Sequence, residues 1–537
     1  MKLIAKSSLY KPFHDICPEN PLESLTALRG ETVSLQFVCM YDDAPDNTCD
    51  AYISVDTALP YKLYETVNVP VMRPAYSRID EWYERTTPGL YPDALATIRE
   101  DGRVRLPKSY YKSFWVTLNA DGEDIAAGDY TVTFTIKARE VTSASVAVKI
   151  IDAVLEPQKL IYTNWFHCDC LCDRYGCSMF DDKHMELIGK YAALAAKNGM
   201  NMILVPCFTP PLDTPVGGER MTAQLVDVEV TEDGYKFGFD KLRRFLRLCE
   251  DNGIVYFEHS HLFSQWGAEH APKVVDVNGN LLFGWDTDAI DENGEYAKFL
   301  RQYLTELMTV LDETGIGERM YFHISDEPNI KHLENYQRAS SLVKPYIGSC
   351  HLFEALSSYE FYQTGAIEIP IPTTTHADKF LGNVENLWVY YTGGESHSGY
   401  SNRLISMPNA RNRILGVQLW YYDIKGFLQW AYNFWYTRLS EMPFDPWSSP
   451  DSKEYFVGGT SFMVYPDTDG PTPSMRLYNF AEGINDIRAL DTYAKKVGRE
   501  KVREFIDSRF ENFGLRYCPS EQQLLKFREE LNAEIAK

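Results

Sequence analysis

The chain has 537 residues, more than one ordinary domain contains, so about two to four domains are expected. Hydrophobic residues make up 45%, charged residues 24% and aromatic residues 14%, a composition that excludes disordered and collagen-like classes. The net charge of -23 opposes the basic surface that phosphate backbones require, so nucleic acid is not an expected partner.

Targeting and membrane segments are not evident in the sequence. The first residues lack the apolar run of roughly 7 to 15 residues that a secretory signal needs, and no later stretch approaches the roughly 20 apolar residues of a membrane helix. We therefore expect a soluble, cytoplasmic protein with no membrane partner. The 11 cysteines are an odd number and few for this length, which favours reduced thiols over a disulfide framework.

Residues 1–157 are expected to form an N-terminal β-sandwich domain. Residues 31–38 and 130–137 alternate polar and apolar side chains, which is typical of strands with one buried face. Residues 114–118 and 145–151 add two further strands, and turn residues separate the runs.

From residue 158 to residue 437 short apolar runs alternate with amphipathic helices, a pattern typical of parallel sheets. We expect a catalytic TIM barrel, an architecture that typically takes about 250 residues. Its eight strands are predicted at about residues 161–168, 201–208, 254–258, 320–325, 348–354, 367–371, 387–392 and 426–432. The helix before the third strand is expected to begin with Asp240 as its cap.

Residues 438–537 are expected to form a C-terminal extension made of a β-hairpin and helices. The hairpin is predicted over residues 456–465, around Gly458 and Gly459, and the helices begin near Ser474.

Two adjacent acids follow the fourth predicted barrel strand. Pro328 comes directly after Asp326 and Glu327, denies Glu327 the right-handed helical region and so predicts an extended exit from the strand. Active sites of barrels lie at the carboxyl ends of strands, and neighbouring like charges raise the pKa of one carboxyl, as a general acid needs. The alternative is that both are loop acids, one of which caps a helix beginning near Lys331.

The adjacency of the two acids also constrains the mechanism. A retaining glycosidase with an enzyme nucleophile holds its two carboxyl groups about 5 to 5.5 Å apart across the scissile bond, which sequence neighbours do not easily achieve. Adjacent acids suit substrate assistance instead. There the 2-acetamido oxygen of the sugar is the nucleophile, and the protein supplies one acid/base and one carboxylate beside the amide.

Several ordered stretches resemble glycoside hydrolase family 123, and the C-terminal part resembles the associated domain of unknown function number 4091. The resemblance spans roughly residues 85–495. The stretches that carry it are 325–328 (SDEP), 387–392 (LWVYYT), 426–435 (GFLQWAYNFW), 464–466 (VYP), 474–477 (SMRL) and 482–486 (EGIND).

The resemblance implies a retaining β-N-acetylgalactosaminidase that uses substrate assistance. By this resemblance Glu327 is the general acid/base, and Asp326 orients the acetamido group as it closes to an oxazolinium ion. Tyr391 is similar to the hydroxyl that holds the acetamido oxygen, a role that needs a donor at about 2.6 to 3.2 Å.

Aromatic and polar side chains near the predicted strand ends are candidates for sugar binding, because tryptophan and tyrosine rings pack against the apolar faces of pyranoses. The candidates are His167, Asp169, His261, Trp388, Trp430, Asn433 and Trp435. For the tryptophans the alternative is core packing, and for the histidines it is a structural hydrogen-bonding role. His323, inside the fourth strand, is expected either to brace Asp326 or to be packed in the barrel.

The segment from His167 to Cys177 is rich in thiols. Its four cysteines are spaced C-x-C-x-C-x4-C, which differs from the paired C-x2-C knuckles of structural zinc sites. We expect no metal there, with a metal site as the alternative.

The leading prediction is a glycoside hydrolase that needs no cofactor. Its expected substrate is an oligosaccharide or glycoconjugate with a terminal β-linked 2-acetamido sugar, N-acetylgalactosamine by the resemblance. Two alternatives stay open: a glycosidase of the same fold that acts on a different sugar, and a carbohydrate-binding protein whose acids bind without catalysing.

Overall fold

The N-terminal part of the molecule consists of two sheets. The computed structural model describes residues 1–42 and 47–537. Within those residues one sheet has the order β1 (Lys2–Ser7), β3 (Val33–Met40), β8 (Lys112–Leu118), β5 (Tyr61–Val71) and β6 (Gly89–Thr97). The other sheet has the order β2 (Ser24–Arg29), β10 (Val141–Val154), β9 (Gly128–Lys137), β4 (Thr48–Asp56) and β7 (Arg103–Pro107).

The inner faces of these two sheets share a core. Phe134 of β9 stacks on Phe37 of β3 and on Phe114 of β8, with ring centroids 4.8 and 5.3 Å apart. The same apolar cluster contains Leu35 from the first sheet and Val132 from the second. Because each sheet presents one apolar face to the other, the arrangement favours the predicted sandwich.

A parallel sheet follows and forms a nearly closed, TIM-like barrel, as the alternation of strands and helices predicts. In the described chain its eight strands, in spatial order, are β20 (Ile369–Ile371), β19 (His351–Ala355), β18 (Met320–Phe322), β15 (Tyr256–His259), β12 (Met202–Val205), β11 (Ile161–Asn164), β22 (Gly426–Gln429) and β21 (Trp388–Tyr390). A parallel bridge between Thr373 and Tyr390 brings β20 and β21 together on the remaining side. Each predicted barrel strand has a counterpart, although all eight observed strands are shorter than predicted.

Helices follow the barrel strands. Those within the barrel segment are α1 (Cys168–Tyr175), α2 (Asp182–Lys197), α3 (Asp240–Asp251), α4 (Glu295–Thr314), α5 (Leu333–Val343), α6 (Tyr359–Tyr362), α7 (Asn409–Arg413) and α8 (Leu415–Tyr421). α4 ends at Gly315, whose φ of 68° provides a left-handed C-cap. The predicted cap of α3 is wrong by one residue. Phe239 is the N-cap, and Asp240 lies in the first turn, where its charge complements the helix dipole.

The remaining strands of the described residues form three short hairpins. They are β13 (Asp227–Thr231) with β14 (Gly234–Gly238), β16 (Val274–Val275) with β17 (Leu281–Phe283), and β23 (Val464–Pro466) with β24 (Pro471–Pro473). The hairpin predicted over residues 456–465 is therefore wrong, because the observed one lies further along the chain. Gly458 and Gly459 serve close packing instead: a Cβ on Gly458 would lie 2.8 Å from Val71, and Gly459 has a φ of 83°.

The C-terminal helices α9 (Met475–Val497), α10 (Arg499–Asp507) and α11 (Glu521–Ala536) pack beside the barrel. A Cβ on Gly416 of α8 would lie 2.0 Å from the carbonyl oxygen of Gly483, so this glycine permits the close approach of α8 and α9. Arg476 on α9 forms a buried ion pair with Asp93 on β6, with N–O distances of 2.8 and 2.9 Å. This pair ties the first N-terminal sheet to the helical layer. Among the described helices, none combines the length and apolar character that a bilayer crossing requires.

Candidate active site

The two adjacent acids leave β18 on a backbone that hydrogen bonds hold in place. Glu354 Oε2 accepts from the backbone N–H groups of Ile324 and Ser325 at 3.2 and 3.1 Å. Glu327 has a φ of 48°, in the left-handed region that few residues other than glycine occupy. The predicted extended exit is therefore wrong: Pro328 disfavours only the right-handed helical region, and the chain takes the left-handed one.

Asp326 is a buried carboxyl, 5% exposed. Gln265 Nε2 donates a hydrogen bond to its Oδ2 at 2.7 Å. Burial, followed by the neighbouring charge of Glu327, raises the pKa of Asp326 from 3.8 to about 8. Burial and the neighbouring charge therefore favour the protonated form of Asp326.

Glu327, in contrast, is exposed to solvent but oriented by two side chains. The hydroxyl of Tyr390 donates to its Oε1 at 2.5 Å, and the indole Nε1 of Trp266 lies 3.5 Å from its Oε2. Burial raises the pKa of Tyr390 well above 10, so this hydroxyl keeps its proton and acts as a donor.

A cavity of about 380 Å³ lies over the two acids and is lined by both of them. The remaining lining residues are Tyr76, Trp165, His167, Leu212, Asp213, Gln265, Ala355, Tyr390, Thr392, Gly393, Gly394, Leu428, Trp430, Arg438, Phe456 and Thr460. Aromatic walls with a few polar groups and a carboxyl of raised pKa are the features of a sugar-binding catalytic cleft.

The floor of this cavity rests on a buried network of charges. His323 Nε2 lies 2.6 Å from Glu258 Oε1, and His323 Nδ1 lies 3.1 Å from Glu354 Oε1. Burial opposes protonation of His323, but its hydrogen bonds to the two glutamates outweigh burial and raise its pKa to about 9. Trp165, which lines the cavity, donates its indole N–H to Glu258 at 2.5 Å. The imidazolium therefore sits between two carboxylates directly below the pocket, in hydrogen-bonded contact with its wall.

One set of side chains in the described residues brings three metal-ligating atoms together. Ligand atoms of His261, His323 and Glu354 lie within 4.8 Å of one another. However, both ring nitrogens of His323 already face carboxylates, and the ring of His261 stacks on it with an interplanar angle of 12°. Lone pairs in the planes of two nearly parallel rings do not converge on one ion. The donor set therefore fits a shared-proton network better than a metal site.

Of the predicted sugar-binding residues, His167 and Trp430 line the cavity. Arg220 donates to His167 Nδ1 at 2.9 Å, so the proton of the ring lies on Nε2, which donates to the carbonyl of Trp430 at 3.0 Å. Burial, with the charge of Arg220, lowers the pKa of His167 to about 3, and the ring is neutral. Asp169 lies behind the wall, where its carboxylate pairs with Arg220 at 2.7 Å.

The other predicted sugar-binding residues do not line the cavity. His261 is buried beneath it, and neither ring nitrogen has a partner among the described residues. Trp388 packs inside the barrel against Tyr321 and Phe353. Asn433 holds the backbone of His167 through bonds of 2.9 and 3.0 Å.

Trp435 packs against Tyr191, away from the cavity, with ring centroids 6.0 Å apart. These placements match the core-packing alternative for Trp388 and Trp435.

Tyr391 also lies outside the cavity, whereas its neighbour Tyr390 lines it. Side chains alternate between the two faces of a strand, so Trp388 and Tyr390 point into the barrel and Tyr391 points outward. There Tyr391 packs on Phe427 with centroids 5.1 Å apart, and its hydroxyl has no partner among the described residues.

The thiol-rich segment forms α1. Cys168, Cys170 and Cys172 are buried on this helix, and Cys172 Sγ lies 3.7 Å from the sulfur of Cys177. Within the described residues these sulfurs and the His167 ring nitrogens do not form a group of three metal-ligating atoms close enough to share an ion. The geometry therefore gives no support to the metal alternative for this segment.

Several residues that shape the pocket were not predicted from the sequence, among them Trp165, Tyr390, Tyr76 and Gln265. Tyr390 could have been found, because strand alternation places it on the same face as Trp388. Tyr76 comes from the loop that follows β5 of the N-terminal sheet, and Gln265 comes from the loop that follows β15. No local pattern marks either of them, since only the assembled fold brings these loops to the barrel mouth.

Comparisons with known proteins address the same region. Residues 165–493 match the model of the glycoside hydrolase 123 catalytic domain. No curated protein sequence matches the chain. Among solved structures, a family 123 glycoside hydrolase from Clostridium perfringens, studied for glycolipid glycan hydrolysis, superposes with a TM-score of 0.75 at 14% identity, covering 99% of this chain and 98% of its own.

A family 5 mannosidase from Rhizomucor miehei has a TM-score of 0.36 at 11% identity and covers 65% of this chain and 95% of its own. The Clostridium structure therefore supports the fold over nearly the whole length. The two acids and all the cavity-lining residues except Tyr76 fall inside the matched catalytic domain, which covers more than half of the residues. This protein is thus a member of glycoside hydrolase family 123, and it is a glycosidase.

Proposed function

We propose that the protein is a retaining glycosidase that removes a terminal β-linked 2-acetamido sugar, N-acetylgalactosamine, by substrate assistance. The observation that carries the proposal is the pair of adjacent acids at the mouth of β18. One of them is buried with a raised pKa, and the other is exposed in the same cavity.

The two adjacent acids can act on two neighbouring groups of one substrate, the acetamido group and the glycosidic oxygen. In substrate assistance the acetamido oxygen attacks the anomeric carbon while the leaving-group oxygen is protonated. Asp326, inside the cavity, accepts the acetamido N–H and stabilises the positive charge of the oxazolinium ion. Glu327, at the open side, delivers the proton to the glycosidic oxygen and later removes one from the attacking water.

Asp326 has to be ionised for this chemistry, although its raised pKa favours the protonated form. An acetamido N–H needs an acceptor, so substrate binding favours the ionised form of Asp326 and transfers the proton to Glu327. The raised pKa of Asp326 opposes its ionisation, so the hydrogen bond from the acetamido N–H and the positive charge of the forming oxazolinium ion have to offset that cost.

Tyr390 takes the role that the family resemblance gave to Tyr391. Its hydroxyl faces the cavity and donates to Glu327 at rest. When Glu327 receives the proton, the hydroxyl is free to turn to the acetamido oxygen and align it for attack. Trp165 and Trp430 supply aromatic surface for the sugar ring.

The backbone conformation of Glu327 and the burial of Asp326 support a catalytic role over a role in sugar binding alone. A left-handed Glu327 and a buried Asp326 without a cation partner among the described residues both cost stability. Strained, destabilised groups of this kind concentrate at catalytic sites, and a protein that only binds sugars gains nothing from them.

Nitrophenyl glycosides test the proposal directly. We expect release of nitrophenol from the β-N-acetylgalactosaminide and none from the β-galactoside, which lacks the acetamido group. The variant Glu327→Gln loses the activity. The matched control Glu219→Gln, at a carboxylate 80% exposed and paired with Lys273, retains it. Cleavage of the galactoside at an equal rate contradicts substrate assistance, and sugar binding by calorimetry without turnover supports the binding-protein alternative.

A further inference from the structure

The loop after β15 carries an exposed tryptophan in a strained conformation. Trp266 has a φ of 57° and Ala268 has the same value, with Gly267 between them at 149°. A bulky residue at positive φ is a genuine outlier that persists only where the surroundings hold it. Trp266 is nevertheless 52% exposed, so burial of the indole does not compensate the strain.

Hydrogen bonds to the acid pair hold this loop. The backbone N–H of Trp266 donates to the carbonyl of Asp326 at 3.0 Å. The side chain of Gln265 donates to the Asp326 carboxyl at 2.7 Å, and the indole Nε1 of Trp266 lies 3.5 Å from Glu327 Oε2. Gln265 thus contacts Asp326, which is directed into the cavity, and Trp266 contacts Glu327, which lies at the cavity opening.

We infer that the exposed face of Trp266 binds the first sugar ring of the leaving group. The inference rests on the proposed function, which assigns the proton donor to Glu327. A general acid must lie within hydrogen-bond reach of the glycosidic oxygen, so the leaving group has to lie beside Glu327. Trp266 contacts Glu327 and is not part of the cavity lining, which places its free face outside the pocket of the terminal sugar.

The chemistry of an indole face selects a pyranose at this position. The apolar C–H face of a sugar ring packs flat on an aromatic ring, and its hydroxyls remain in solvent at the edges. The indole face of Trp266 therefore favours leaving groups that begin with a pyranose over leaving groups that are small alcohols.

Two substrates with alcohol leaving groups of different size separate this role from a structural one. The first is the disaccharide in which N-acetylgalactosamine is β-linked to galactose, and the second is methyl β-N-acetylgalactosaminide. The readout is the ratio of the two kcat/KM values, because a general loss of loop order lowers both and leaves the ratio unchanged. In Trp266→Ala we expect the preference for the disaccharide to fall roughly tenfold, a loss typical of one stacked ring.

Matched variants complete the experiment. Trp266→Phe keeps an aromatic face but lacks the indole N–H, and we expect it to retain most of the preference. Tyr52→Ala, at a ring equally exposed on β4, leaves the ratio unchanged. An unchanged ratio in Trp266→Ala, or an equal loss in the alanine and phenylalanine variants, overturns the inference. If the wild-type protein cleaves neither substrate, the proposed function itself has failed, and the subsite fails with it.

Discussion

Replacing Asp326 with asparagine is expected to stabilise the protein at alkaline pH while abolishing its activity. In the folded protein the pKa of Asp326 rises from 3.8 to about 8, because the carboxyl is buried and lies beside Glu327. Below about pH 4 the group is neutral in both the folded and the unfolded chain, so it costs nothing. As the pH rises from 4 to 8 the unfolded chain releases the proton and the folded one keeps it, so stability falls and then levels off.

The magnitude follows from the same values. The difference between 3.8 and about 8 corresponds to on the order of 6 kcal/mol, at about 1.4 kcal/mol per pKa unit. The amide in Asp326→Asn keeps an oxygen for the Gln265 bond but is itself a buried polar group, so we expect roughly half of this gain. For a chain of 537 residues about 1 kcal/mol shifts the melting temperature by about 1 °C, which predicts a rise of about 2 to 3 °C.

Scanning calorimetry at pH 4 and pH 8.5 measures the melting temperature. Asp169→Asn is the control variant, because its melting temperature is expected to change in the opposite direction at pH 8.5. Burial opposes ionisation of Asp169, but the charge of Arg220 outweighs it and lowers the pKa. The stability that this ion pair contributes is present above pH 4 and is lost in more acidic solution, so Asp169→Asn destabilises the protein at pH 8.5. Asp326→Asn should raise the melting temperature at pH 8.5 and leave it unchanged at pH 4. A drop at pH 8.5, or an equal gain at both pH values, refutes the reasoning.

The remaining predictions concern neighbouring groups. Glu327→Gln should lower kcat/KM by roughly 10³-fold for a disaccharide but less for a dinitrophenyl glycoside, whose leaving group needs no proton; equal losses in steady-state kinetics argue against an acid role. Tyr390→Phe should cost roughly 10²-fold in kcat/KM, whereas Tyr391→Phe, one residue further and facing outward, should stay within about threefold; the reverse order would restore the role to Tyr391. Glu354→Gln should destabilise the protein by about 3 kcal/mol in urea titrations, because it leaves the buried His323 with one carboxylate. Asp101→Asn, at an exposed ion pair, serves as its control, and equal effects of the two changes contradict the network.

The arrangement of the barrel was accessible to sequence reasoning because hydrophobic periodicity reports which face of an element is buried. The apolar side chains Leu242, Phe245 and Leu246 recur at helical spacing and are all buried on α3. The acids were accessible for a related reason, since barrel strands present their carboxyl ends to one common face and Asp326 lies four residues after the end of β18.

The side chains of β21 that face the barrel interior were less evident from the sequence. β21 has only three residues, and a shift of one position along it exchanges the inner and outer faces of the strand. The role of Tyr391 was assigned from the family resemblance, and the structure places its neighbour Tyr390 in the cavity instead.

Residues from distant loops were beyond sequence reasoning altogether. Tyr76 reaches the cavity because the N-terminal sheet is fixed against the barrel, in part by the buried Arg476–Asp93 pair. Gln265 and Trp266 meet the acids because a strained loop folds back on β18. Such contacts depend on tertiary packing, and no spacing in the chain encodes them.

A series of nitrophenyl substrates whose acetyl group carries zero, one, two or three fluorine atoms tests the central claim most directly. Fluorine withdraws electrons from the acetamido oxygen and leaves the rest of the sugar unchanged. If that oxygen attacks the anomeric carbon beside Asp326, kcat/KM falls steeply with each fluorine. A kcat/KM that does not change across the series would show that the oxygen is not the nucleophile and that a side chain of the protein or a water molecule attacks instead.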